Sequence, residues 1–248
     1  MLDHLRPANL LRLPAWLLQW LPASCALCGQ AGRSALCEGC QRQYFTLRPR
    51  RCIQCAMPIR AAAKDPRCGS CLKDKPAFDT TIVAADYLAP VDQLVLALKF
   101  GNRLTLAPLL AAMLADALRQ QVRSAAMPAL LMAVPLGPRR LQERGFNQSL
   151  EIARPLAHRL DIPLAPQLLV RVRDTLAQST LPADERQRNM RKAFVVPSAA
   201  MNHVRGRHIG VVDDVITTGE TLGEIAATLK RFGARRVTNI VFSRAISK

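Results

Sequence analysis

The stretch Val211-Val212-Asp213-Asp214-Val215-Ile216-Thr217-Thr218-Gly219-Glu220-Thr221 decides how this chain is read. An apolar strand over residues 208–215 delivers two adjacent acids at its end, a turn of hydroxyls and a glycine follows, and a helix is expected over 221–232. Backbone N–H groups at that helix N-terminus, with the hydroxyls of Thr217, Thr218 and Thr221, can cradle a phosphate. Gly219 lets the backbone close around it, and Glu220 belongs to the same loop. The carboxylates of Asp213 and Asp214 can accept hydrogen bonds from the vicinal hydroxyls of a ribose. A helix cap alone uses one acid and one threonine. It leaves the second acid and the Thr-Thr-Gly-x-Thr order unexplained.

Outward from this loop, residues 79–248 alternate apolar strands with helices. Strands are expected at 80–88, 130–135, 168–172, 193–196, 208–215 and 237–244, and helices at 91–100, 105–122, 147–160 and 221–232. This order predicts an α/β fold, a mostly parallel sheet with helices on both faces. Ligands of such sheets sit at the carboxyl ends of the strands, so the loops after Pro135 and Val215 carry the site. The first of them is basic. Arg139, Arg140 and Arg144 supply guanidinium forks suited to a pyrophosphate, although a solvated basic loop reads the same way. Lys99, at the end of the 91–100 helix, either reaches the same phosphates or complements the helix C-terminus. Residues 173–192 show no period, and a polar loop of that length inside a domain is usually functional or mobile.

The 211–221 stretch strongly resembles the phosphoribosyl pyrophosphate signature of type I phosphoribosyltransferases. The segment Val134-Pro135-Leu136, with Arg140 and Arg144-Gly145-Phe146-Asn147-Gln148, looks like the distinctive block of the ComF family of competence and DNA-utilisation proteins. So does the later series Thr175, Gln178, Leu181, Arg186, Asn189 and Ala193-Phe194. The resemblance implies a type I phosphoribosyltransferase-like fold binding phosphoribosyl pyrophosphate with Mg²⁺. Asp213 and Asp214 are then the catalytic pair that orients the ribose, and residues 217–221 hold its 5′-phosphate. The arginine loop holds pyrophosphate, and 173–192 forms a lid with Thr175, Gln178, Arg186 and Asn189 as contacts. It also implies a role in DNA uptake or use, with single-stranded DNA and DNA-uptake proteins as partners. No base-recognition element is visible in 79–133. The rival to an enzyme is therefore a non-catalytic single-stranded-DNA-binding factor, or a ligand-responsive regulator, that keeps the phosphoribosyl site for binding only.

All eight cysteines precede residue 72, in four CxxC pairs: Cys25/Cys28, Cys37/Cys40, Cys52/Cys55 and Cys68/Cys71. A CxxC turn puts two sulfurs on one metal and a second turn completes a tetrahedral Cys₄ site. The spacing predicts a small double zinc ribbon over 23–78, with two structural Zn²⁺. Sequential pairing of the turns is favoured over cross-bracing. Disulfides are the competing reading, disfavoured because no export signal is legible. A redox motif needs only one CxxC. Ahead of the ribbons, residues 1–22 read as a short amphipathic segment with Trp16 and Trp20 on one face. Arg12, Pro14 and Gln19 break its apolar run, and no transmembrane segment is expected. A cytoplasmic protein is the expectation.

The formal net charge is +17. Residues 1–78 hold 12 Lys+Arg against 4 Asp+Glu, residues 79–133 balance at 4 against 4, and residues 134–248 hold 19 against 10. Such basicity suits a polyanionic partner. Aromatic residues are only 4% of the chain, which disfavours an extensive base-stacking platform. The sequence shows no Walker A loop, nucleophile elbow or histidine-based metal site.

Overall fold

The computed structural model describes residues 23–46, 49–121, 127–172 and 193–246. The amphipathic segment 1–22 and the stretch 173–192 lie outside the described residues.

Each ribbon is made of short pieces. In the first, β1 (Ala23–Ser24) pairs antiparallel with β2 (Ala31–Gly32), and α1 (Glu38–Phe45) follows. Cys37 caps that helix, its sulfur accepting the Cys40 N–H. The second ribbon carries α2 (Gly69–Lys73), which starts on Cys68. The larger part then runs through β3 (Thr80–Asp86), α3 (Asp92–Lys99), α4 (Ala107–Gln121), β4 (Leu130–Ala133), α5 (Pro138–Arg144) and α6 (Gln148–Leu160). It continues with β5 (Val170–Arg171), β6 (Phe194–Val195), α7 (Met201–Val204), β7 (His208–Ile216), α8 (Glu220–Arg231) and β8 (Arg236–Arg244).

Four strands form a parallel sheet in the order β3-β8-β7-β4. Side chains alternate across it, as a strand requires. Ile82, Leu131, Val212, Ile240 and Phe242 join α4 and α6 in one apolar cluster. Val83, Leu130, Met132, Val211 and Val241 join α8 in the other. Both faces are thus covered, and the strands read as continuous apolar runs because each is buried on both sides. Gly210 sits where β7 passes tightly beneath its neighbours: a Cβ there would fall 2.5 Å from Leu131 Cδ2.

Register decides what meets at the carboxyl edge. Ala133 pairs with Val212, and Ile216 and Asp86 both pair with Arg244. The acids of β7 therefore lie just past the end of β4, with Asp213 beside Val241 of β8 and the end of β7 beside Arg244.

The ribbons are built onto this sheet. Cys25, Leu36, Cys40 and Phe45 belong to the α4 cluster, and Ala56 and Phe78 to the α8 cluster. At the edge strand, the Thr81 N–H donates to the Ile53 carbonyl at 3.2 Å, and Arg51 pairs with Asp86 at 2.8 Å. The second ribbon thus covers part of an edge that would otherwise expose unpaired backbone groups.

Two expectations need correction. Residues 138–144, read as a basic loop, form helix α5: Pro138 occupies its first turn and Gly145, at φ 77°, ends it. Proline at the start and glycine past the end are helix signals, here outweighed in the sequence by the run of charges. The strand expected at 168–172 is reduced to Val170–Arg171, because Leu168 and Leu169 are buried in the α8 cluster instead of extending a ladder.

Candidate functional site

A cleft of about 320 Å³ opens at the carboxyl edge of the sheet, lined by residues 213–222 and facing Val134, Pro135 and Leu136. Asp213 and Asp214 lie in the second half of strand β7, shortly before the loop, and they are held differently. Asp213 Oδ1 accepts the Ser149 hydroxyl at 2.8 Å and the Asp214 N–H at 3.0 Å. Asp214 is 3% exposed; its Oδ1 accepts the Val215 N–H at 2.8 Å and its Oδ2 pairs with Lys99 Nζ at 2.8 Å. Burial, with the adjacent Asp214 carboxylate, pushes Asp213 up to about 7, against the pull of Ser149 and Lys99. Two acids side by side cannot both ionise freely in a partly dry cleft. The site favours a ligand that supplies hydrogen-bond donors or a cation here.

The expected cations divide. Lys99 and Arg140 line the cleft. Lys99 is committed to Asp214, a role that neither sequence reading of it anticipated. Arg139 is not brought to the cleft: its guanidinium meets Glu143 one helical turn along α5, at 2.9 Å. Arg144 is also outside the lining. It stacks over the Phe100 ring at 5.3 Å and donates to Gln148 Oε1, and burial moves its pKa down. Gln148 itself lines the cleft, so Arg144 acts on the wall from behind. The lid candidates Thr175, Gln178, Arg186 and Asn189 lie outside the described residues.

The loop after β7 has the geometry of an anion cradle. Gly219 adopts φ 88°, the left-handed conformation that favours glycine, and α8 starts directly after it. The first turn of α8, Glu220 to Leu222, thereby lines the cleft, next to the exposed Thr217 and Thr218, and such a turn carries N–H groups without intrahelical acceptors. Thr218 Oγ1 accepts the Glu220 N–H at 3.5 Å. Thr221 lines the same wall, whereas Glu220 Oε2 is buried without a hydrogen-bond partner among the described residues.

Four site residues escaped the sequence reading. Ser149 holds Asp213 from 64 positions away. Tyr87 and Arg171 line the cleft, Arg171 also lying over Phe194 at 5.7 Å. Arg244 holds the loop by donating to the carbonyls of Ile216 and Thr217. No local pattern marks these residues. Arg-Gly-Phe-Asn-Gln-Ser ends in Ser149, and that adjacency is the only available signal.

The cysteines assemble as two tetrads, Cys25/Cys28/Cys37/Cys40 and Cys52/Cys55/Cys68/Cys71, each with its sulfurs within 4.8 Å of one another. This is the sequential pairing. A zinc ion about 2.3 Å from four tetrahedral sulfurs spaces them by about 3.8 Å. Cys28 and Cys37 sulfurs stand 3.7 Å apart, and those of Cys55 and Cys68 3.5 Å, so both tetrads fit Zn²⁺. Burial acts to raise Cys25 and Cys52, but backbone N–H groups outweigh it and hold them down to about 6 and about 7. Burial and neighbouring sulfurs push Cys40 up to about 12 and Cys55 up to about 11. Closing a tetrad on a dication therefore releases protons. With four sulfurs each, the tetrads leave no open coordination position, which makes their role structural.

Residues 17–72 match the double zinc ribbon domain and residues 147–248 the phosphoribosyl transferase domain. The chain is 37% identical over 225 residues to the DNA utilization protein YhgH of Salmonella typhimurium, covering 88% of this chain and 95% of that protein. It is 35% identical over 222 residues to the DNA utilization protein YhgH of Escherichia coli, with 88% and 95% covered. Competence protein F of Haemophilus influenzae is 33% identical over 207 residues, covering 83% of this chain and 88% of that protein. Among the described residues no helix is long and apolar enough to cross a membrane. The likeness to these proteins runs through ribbons and sheet alike, and the chain belongs to the ComF family of competence and DNA-utilisation proteins.

Proposed function

We propose that the cleft binds phosphoribosyl pyrophosphate and that the protein acts as a phosphoribosyltransferase in the uptake or use of DNA. One observation carries this reading. The acid pair of β7, the left-handed Gly219 and the start of α8 form one wall of a cleft whose other lining includes Lys99 and Arg140. The α8 amides and threonine hydroxyls take the 5′-phosphate, the Asp213–Asp214 pair takes the ribose hydroxyls, and Arg140 takes the pyrophosphate. Transfer breaks the bond from ribose C1 to pyrophosphate oxygen and forms a bond from C1 to an acceptor, with pyrophosphate leaving. Mg²⁺, when bound with this ligand, supplies charge neutralisation for the departing group. The chain's own residues position the sugar and stabilise charge. The names of the relatives support the cellular role in DNA use.

Calorimetric titration of phosphoribosyl pyrophosphate into zinc-loaded protein, with and without Mg²⁺, tests the assignment. Saturable, Mg²⁺-dependent binding is expected, lost by at least about tenfold in Asp213→Asn/Asp214→Asn. Unchanged affinity in that variant would remove the acid pair from the site.

A second reading, a factor that binds single-stranded DNA and keeps the cleft for ligand sensing, is favoured by a different surface. Arg205, Arg207 and Arg235 are exposed where β7 and β8 begin, and no ion pair joins them to a carboxylate among the described residues. Backbone bonds from Gly206 N to Gly233 O (2.7 Å) and Arg235 N to Arg207 O (2.9 Å) bring them together. Binding there is electrostatic, so it weakens steeply with salt.

A further inference from the structure

The second cysteine tetrad and the loop after β7 share a cavity of about 490 Å³. Its lining takes Cys55, Cys68 and Cys71 from the tetrad and Thr218, Gly219 and Glu220 from the loop, and Arg244 is its one basic residue. Arg244 is 5% exposed and ends β8, flanked by Asp86 and Ile216 on the neighbouring strands. Its Nη1 donates to the Ile216 carbonyl at 3.2 Å and to the Thr217 carbonyl, the two residues that turn β7 into the loop. Its Nε has no hydrogen-bond acceptor among the described residues. Phe78, at the end of the ribbon module, packs against the same loop: its Cζ lies 3.7 Å from where a Cβ on Gly219 would stand.

A buried guanidinium whose Nε is left without an acceptor needs counter-charge. Burial acts against the charge of Arg244, and the sulfurs of Cys55, Cys68, Cys71 and Cys52 act in its favour. Four thiolates around one Zn²⁺ form a cluster with a formal charge of about −2. Beside the carboxylates of Asp74, Glu220 and Glu224, which line the same cavity, that cluster gives Arg244 a fixed wall and further opposite charge. Losing the metal frees the sulfurs to move and to take up protons, which weakens both. The first tetrad lacks this connection, because Cys25 and Cys40 pack in the α4 cluster on the opposite side of the sheet.

We propose that Arg244 is a positioning residue that couples metal occupancy of the second tetrad to ligand affinity at the loop of residues 217–221. With the tetrad closed, Arg244 fixes the Ile216 and Thr217 carbonyls, and the loop amides stand in their phosphate-binding arrangement. This rests on reading that loop as the ribose 5′-phosphate site. Coupling is reciprocal: the ligand must hold the second metal in place as strongly as that metal favours the ligand.

The test uses the full zinc-loaded chain and follows zinc release to a chelating dye, with and without saturating phosphoribosyl pyrophosphate and Mg²⁺. Mass-spectrometric mapping of alkylated cysteines assigns each release phase to its tetrad. The expected result is release from the second tetrad slowed by about fivefold or more, with the first unaffected. Arg244→Gln is expected to lose this protection and about tenfold in ligand affinity, and Arg244→Lys to recover part of both. If the wild type binds the ligand while both zinc ions leave at unchanged rates, the coupling is refuted and the loop assignment stands. Protection that persists in Arg244→Gln removes Arg244 from the link. If zinc-loaded wild type binds no ligand, the loop assignment fails and takes the coupling with it. Should Arg244→Gln fail to fold, Arg244→Lys carries the test: full wild-type protection and affinity in that variant would remove the guanidinium from the link.

Discussion

Asp213 and Asp214 are neighbours on one strand, yet the fold asks different things of them. Asp214 is buried and held by an ion pair with Lys99 and a hydrogen bond from the Val215 amide at the cleft floor. Asp213 carries the cost of burial and of standing next to it. An unfolded aspartate ionises at about 3.9, whereas Asp213 in the fold does so at about 7. Between those values the native state keeps a proton that the unfolded chain has released. Stability therefore falls as pH rises through that window, and the full penalty is present above it. Asp213→Asn removes the ionisation and keeps an oxygen for Ser149. Without ligand, its melting temperature is expected to exceed that of the wild type by a few degrees at pH 8 and by less at pH 5, read by scanning calorimetry. An equal shift at both pH values would mean that Asp213 is not the strained group.

Helix α6 places Ser149 within reach of Asp213, and Asn147 places α6. Its Oδ1 accepts the Ser149 and Leu150 N–H groups at 3.0 and 3.3 Å, and its Nδ2 donates to the Val134 carbonyl at 3.0 Å. One side chain thus caps a helix and ties it to the end of β4. Asn147→Ala is expected to cost about 2 kcal/mol in urea unfolding, the upper range for a lost cap, since it also leaves the Val134 carbonyl without that donor. The same variant is expected to weaken ligand binding, because the α6 start and the Asp213–Ser149 bond move together. A neutral result in both measurements would show that packing alone holds α6. Helix α5 makes the complementary point. Pro138 and Gly145 bracket it by ordinary helix rules, and its position after β4 sends Arg140 into the cleft and Arg139 away from it.

At the scale of the whole molecule, the ribbons are part of the packing. Phe45 and Leu36 sit in one apolar cluster with the helices over the sheet, and Phe78 and Ala56 in the other. Stripping both metals should therefore loosen the sheet as well as the ribbons. We expect about two Zn per chain by elemental analysis. Chelation should lower the melting temperature by about 10 °C or more, since a loss of several kcal/mol moves a protein of this size by about 2–4 °C per kcal/mol. A transition unchanged by chelation would mean that the two parts fold independently.

The sequence alone determined what local chemistry can write: four CxxC turns, an apolar strand ending in Asp-Asp, a hydroxyl-rich turn with its glycine, and the alternation of strands and helices that makes a parallel sheet. These features are legible because each is complete within a few residues. Tertiary structure decided the rest. Ser149 reaches Asp213 across 64 positions, and Lys99 pairs with Asp214 rather than with a helix end. Arg244 lies 27 positions from the Thr217 carbonyl that it holds, and it meets the second tetrad in a shared cavity. Such partners are chosen by strand register and by which helix face is buried, and residues distant in sequence become neighbours only when the sheet has formed.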